Sequence, residues 1–126
     1  MLLLNFSHPV TNAHLEQIAR MLGDQVIDVI HVPMHFDSIS AYQPQLERLL
    51  AEVPLTADAW QQEQILIVLP SQNYIAALLV AELHGRMGYF APVVRLRAAE
   101  NVLPPRFEVA EILDLQSVRE CARKTR

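Results

Sequence analysis

Between an apolar opening, "MLLLNF", and the first stretch with helical spacing, the chain places "SHPVT", residues 7–11. Ser7 and Thr11 bring hydroxyls, and His8 brings an imidazole that donates to an anion or exchanges a proton near neutral pH. A second cluster, "PSQN", residues 70–73, follows the most apolar run in the chain. Ser71, Gln72 and Asn73 supply further donors there. Where such a cluster opens a helix, unpaired main-chain N–H groups and the positive end of the helix dipole favour an anion. The chemistry available is recognition of a phosphate-like group by hydroxyls, amides and helix starts, with His8 able to move a proton. As plain helix caps the same residue types need no ligand.

Other reactive side chains point to simpler roles. His31 and His35 are four apart, a spacing that pairs two metal ligands only on a helix, and Pro33 between them prevents one, so no metal site is expected. Asp37 has the chemistry to take a ribose hydroxyl, but it reads as a turn residue. Arg95 and Arg97 are two apart in an apolar stretch and share one strand face, which is expected to meet solvent or an acidic partner such as Glu108 or Glu111. Arg86 complements the negative end of a helix. The chain has neither "GxxxxGKS/T" nor "GxGxxG", and with Gly23, Gly85 and Gly88 as its only glycines it builds neither phosphate loop. It has no "GxSxG" elbow, and its one cysteine, Cys121, lies in the tail and has no partner for an internal disulfide. No cofactor is expected.

The elements that must position these residues follow from hydrophobic period. Residues 1–6 read as a buried strand. Thr11 caps a helix in which Leu15, Ile18, Ala19 and Leu22 recur at helical spacing until Gly23 stops it. "QVIDVIHV", residues 25–32, is a second strand, closed by Pro33. Pro44 suits the first turn of a helix striped by Leu46, Leu49, Leu50 and Val53, and Trp60 is expected on a connecting turn. "QILIVLP", residues 64–70, is a continuous apolar run of the kind a parallel sheet buries on both faces, so this strand is central. Ser71 is the expected cap of a helix over 74–87 that ends at Gly88. "PVVRLR" and "RFEVAEILDL" form an antiparallel edge ribbon, and a basic helix ends the chain.

This order predicts an α/β fold over residues 1–126. It is a three-layer Rossmann-like sandwich with a mainly parallel sheet and a C-terminal antiparallel strand pair. In such sheets ligands lie outside the carboxyl ends of the strands, at the point where successive connections leave for opposite faces. If the first strand neighbours the third, Ser7–Thr11 and Pro70–Asn73 frame that point.

Composition narrows the partners. A chain of 126 residues with 52% hydrophobic content fills one core. A net charge of −4 argues against a surface that tracks a long nucleic acid. No apolar run approaches the roughly 20 residues that span a bilayer. With no secretory leader ahead of the first strand, a cytoplasmic protein is expected. The helix around "YIAALLVAEL" is apolar nearly all round, which favours a homodimer or higher homo-oligomer that covers it and brings two copies of each loop together. Burial within its own chain is the alternative.

The opening "MLLLNFSHPVTNAHLEQI", the "HVPMHFD" segment and the short Rossmann-like layout ending in a strand pair resemble the small ancillary proteins of type III CRISPR systems with a CRISPR-associated Rossmann-like (CARF-like) fold. The resemblance implies a dimer that binds cyclic oligoadenylate, foremost cyclic tetra-adenylate. The implied pocket consists of Asn5, Phe6, Ser7, His8, Pro9 and Thr11 with Pro70, Ser71, Gln72 and Asn73. It also implies that some members, the ring nucleases, open the ring without metal to give linear products with a 2′,3′-cyclic phosphate. Ser7 and His8 are then the catalytic candidates. The pocket loops hold no lysine or arginine against the developing charge, so sequestration is expected before turnover. A small-metabolite or mononucleotide enzyme on the same sheet, and a subunit that docks another protein through its apolar helix, are the rival readings.

Overall fold

The computed structural model describes residues 1–23, 25 and 27–126. Ten elements follow in chain order: β1 (Leu2–Asn5), α1 (Asn12–Met21), β2 (Asp28–His31), α2 (Tyr42–Ala51), α3 (Ala57–Gln62), β3 (Ile65–Val68), α4 (Asn73–Met87), β4 (Val93–Ala98), β5 (Phe107–Leu113) and α5 (Leu115–Arg123). They build one sheet in the order β2-β1-β3-β4-β5. The first four strands in that order run parallel, and β5 returns antiparallel to β4. This is the expected Rossmann-like sandwich with its terminal antiparallel pair.

Alternation along the strands separates two apolar layers. Leu3, Leu66 and Val68 pack with Ile18 of α1, whereas Leu4, Ile65 and Ile67 face Leu46, Leu50, Trp60, Leu79 and Leu83 of α2, α3 and α4. All four residues of β3 are buried, as a strand covered on both faces requires. A bulge in the β4–β5 pairing leaves Ala110 opposite no residue. It allows Val109 and Ile112, three apart, both to join the α1 layer. Glu108 and Glu111 then share the opposite face with their partners, Arg97 at 2.9 Å and Arg95 at 2.6 Å.

Local departures from the expected elements have physical reasons. Strand β1 ends at Asn5, and Phe6 stays buried just beyond it. Strand β2 is confined to Asp28–His31; Val26, inside the expected span 25–32, lies outside the described residues. Trp60 is not on a turn. It sits in the short helix α3, capped by Thr56, and is 3% exposed, with the Arg86 guanidinium 5.7 Å from its ring centre. Burial of a large ring in the apolar cluster shared with α4 gives this six-residue helix a reason to form that its length alone does not. Arg86 therefore has a neighbour in Trp60, and another in Glu82 at 3.7 Å, besides the helix end. Gly23 and Gly88, at φ +76° and +84°, close α1 and α4 in the left-handed region.

Helix α4 buries a single stripe, Ile75, Leu79, Leu83 and Met87, within its own chain. Its exposed side carries Tyr74, 68% exposed, and then Ala77, Ala81 and Gly85, which present little surface. Much of the apolar character that favoured self-association is thus absorbed inside one chain. Among the described residues no helix is long and apolar enough to cross a membrane.

Candidate functional site

The segment leaving β1 is shaped by Asn5, which is 1% exposed. Its Oδ1 accepts the Ser7 N–H at 3.0 Å and its Nδ2 donates to the His8 carbonyl oxygen at 2.8 Å. An asparagine folded back on the two following turns of chain makes a compact bend without glycine. The bend is fixed to both neighbouring strands: Phe6 N–H donates to Val68 O at 3.0 Å, and Val32 N–H donates to Asn5 O at 2.9 Å. The exits of β1, β2 and β3 are therefore side by side on one rim of the sheet, where the connections to α1 and to α4 leave for opposite faces.

A cavity of about 360 Å³ opens at that rim. Of the expected site residues, Phe6, Ser7, His8 and Pro9 from the first bend and Pro70, Ser71 and Gln72 from the third line it together. The other three do not. Asn5 lies beneath as a support; Asn73 is exposed at the start of α4, where its Oδ1 accepts the Tyr74 N–H at 2.9 Å; Thr11 faces a different cavity. Ser71 is also not the helix cap. Gln72 takes that place, its Oε1 accepting the Ile75 N–H at 2.8 Å. The longer glutamine side chain folds back to the orphan donor of the first turn, and Ser71, one residue earlier, faces the cavity unengaged.

Thr11 caps α1 as expected, with an unforeseen partner. Its Oγ1 accepts the His14 N–H at 3.2 Å, and its own N–H donates to His14 Nδ1 at 3.2 Å. A histidine does here what a glutamate does in the common capping box. Since a main-chain N–H can only donate, Nδ1 must be unprotonated, and Nε2 carries the hydrogen that reaches Phe107 O at 2.9 Å. One imidazole nitrogen caps α1 and the other ties it to β5.

His31 and His35, expected neither as metal ligands nor as pocket residues, both line the rim cavity with His8. The signal was available, because in a parallel sheet the exits of all neighbouring strands share one rim. Among the described residues no three His, Cys, Asp or Glu side chains are grouped to hold a metal ion. Asp37 behaves as a turn residue, its carboxylate accepting from the Ile39 N–H at 2.9 Å and the Ser40 hydroxyl at 3.1 Å.

Two further cavities are present. One of about 920 Å³, the largest, lies between the start of α1 and the β4–β5 connection and is lined by Thr11, His14 and Gln17 on one side and Arg97, Arg106 and Glu108 on the other. Another, of about 540 Å³, lies outside the edge strand β2 against α2. In the rim cavity the hydroxyls of Ser7 and Ser71 and the ring of His8 have no hydrogen-bond partner among the described residues. The site thus offers two hydroxyls and three imidazoles, with no lysine or arginine, over an apolar floor of Phe6, Met34 and Ile75. No family model matches the chain, and no curated protein or solved structure matches it either.

Proposed function

We propose that this chain binds a cyclic oligoadenylate, cyclic tetra-adenylate before other ring sizes, in the rim cavity and lowers its free concentration by holding it. The observation that supports this reading is the shared cavity itself: the bends after β1 and β3 open onto one space at the point where the chain switches sheet faces, with Ser7, His8 and Ser71 unengaged. The class of ligand follows from the resemblance of the opening segment to small type III CRISPR ancillary proteins of CARF-like fold. An apolar floor suits a purine face, and hydroxyls and imidazoles suit phosphate oxygens. At about 360 Å³ the cavity is near the lower end of small-ligand sites and has room for roughly one nucleotide. A ring of four asks for a second copy of the site. A homodimer about a two-fold axis supplies it with matching symmetry. Sequestration then works by mass action, to the extent that the protein is abundant and the site tight.

Ring opening is the second reading, favoured by the three imidazoles. The ribose 2′-oxygen attacks the adjacent phosphorus, a histidine takes its proton, the bond from phosphorus to the 5′-oxygen breaks, and a second, protonated histidine gives the leaving oxygen its hydrogen. The absence of a lysine or arginine from the lining leaves the developing charge to the imidazoles alone, so holding comes before cleaving.

Thermal shift with cyclic tri-, tetra- and hexa-adenylate, against adenosine monophosphate, tests the proposal. Stabilisation by one ring size is expected, and no response to any ring overturns it. Chromatography of the ligand after incubation then separates the readings: unchanged ring means sequestration, and linear product with a 2′,3′-cyclic phosphate means a ring nuclease.

A further inference from the structure

The rim cavity and the cavity outside β2 border each other. His31, Pro33 and His35, the exit of the edge strand, line both. Because β2 is the last strand of the sheet, no further strand walls off its outer side, and the two cavities meet over this exit. At its α2 end the outer cavity is lined by Arg48, which is exposed and in no ion pair among the described residues. Glu52 lines the same end but does not pair with it. The outer part, about 540 Å³, is larger than the inner one.

We infer that the two cavities form one bipartite site, in which an oligonucleotide ligand with phosphates spaced along a chain runs from the Ser7–Ser71 cavity past His31 and His35 to Arg48. The inference rests on the proposed function and deepens it, naming the cation that the inner cavity lacks. A guanidinium with no protein partner, standing in an open cavity, is disposed to take a phosphate, and the imidazoles on the ridge are disposed to guide the backbone between the two ends. A mononucleotide fills the inner cavity without reaching Arg48. A ring or a short linear oligoadenylate reaches both.

The test is isothermal calorimetry of cyclic tetra-adenylate across a salt series, with Arg48→Gln and, as a control, Arg20→Gln, an exposed arginine on α1 outside both cavities. Arg48→Gln is expected to weaken ring binding about tenfold and to flatten the slope of log affinity against log salt by about 0.7. Arg20→Gln is expected to do neither, and both variants are expected to keep the wild-type melting temperature. Equal losses in both variants, or ring affinity within about twofold of wild type in Arg48→Gln, overturn the bipartite site while leaving the inner cavity intact. Loss of ring binding in His8→Ala with none in Arg48→Gln sustains the proposed function alone. A wild-type protein that binds no ring overturns both.

Discussion

The Nδ2 atom of Asn5 donates to the main-chain carbonyl of His8 at 2.8 Å, and the other end of the same amide accepts from Ser7. Asn5 is therefore buried as a brace for the bend, with both ends of its amide engaged. Replacement by aspartate keeps the acceptor for Ser7 and sets a carboxylate oxygen against the His8 carbonyl. Asn5→Asp is expected to destabilise the fold by about 1–3 kcal/mol and to weaken ligand binding through the displaced bend. Urea unfolding and calorimetry check this together. A loss of affinity with an unchanged unfolding midpoint would instead put Asn5 in direct contact with the ligand.

His14 joins the start of α1 to the start of β5. It is 9% exposed, and both ring nitrogens are engaged. Removing the ring strips a cap partner and leaves the Phe107 carbonyl without its donor, so His14→Ala is expected to cost about 2 kcal/mol. His14→Glu restores the common form of the capping box but does not reproduce the donor to Phe107, and is expected to recover about half of that loss. The two unfolding midpoints, compared with wild type, measure the two contributions. Equal midpoints for the alanine and glutamate variants would mean that the cap contributes nothing.

These two residues mark the boundary of what the sequence reveals. The layers, the central β3, the terminal antiparallel pair and the neighbouring bends after β1 and β3 follow from hydrophobic period and connection rules, because those signals are local or combine simply. Long-range roles do not. That His14 hydrogen-bonds to a carbonyl 93 residues away, that Asn5 is buried, or that Trp60 packs in a helix against Arg86 of α4 depends on which side chains the closed fold brings together. The expectation of Ser71 as cap fails for another reason, since serine is the commoner cap type and the pattern does not show that the longer Gln72 side chain reaches the Ile75 N–H.

Asp114 caps α5, and its pKa is held below the usual carboxylate value, first by the Ser117 N–H and then by the Ser117 hydroxyl, at 3.0 and 2.7 Å. A depressed carboxylate contributes stability that is complete above its unfolded value and is lost as pH falls through the folded one. The first turn of α5 is therefore expected to fray only below the ordinary carboxylate range and to be intact at neutral pH. Asp114→Asn keeps an acceptor for the Ser117 N–H but has nothing to titrate, so its α5 is expected to lose this pH response. Chemical shifts of the Ser117 amide across an acid titration read the difference, and identical titration in both proteins would refute the assignment.

Ser71 and Gln72 are adjacent, yet the structure gives them separable duties. Gln72 Oε1 holds the Ile75 N–H, so Gln72→Ala is expected to lower stability by about 1 kcal/mol. Ser71→Ala removes a hydroxyl that makes no hydrogen bond within the described residues, so its melting temperature is expected to match wild type. For cyclic tetra-adenylate the weights reverse. Ser71→Ala and His8→Ala are each expected to weaken binding about fivefold to tenfold, because each removes a free donor from the cavity lining. Melting curves and calorimetry on the three variants give the pattern directly. Full affinity in both Ser71→Ala and His8→Ala would move the ligand away from the rim cavity.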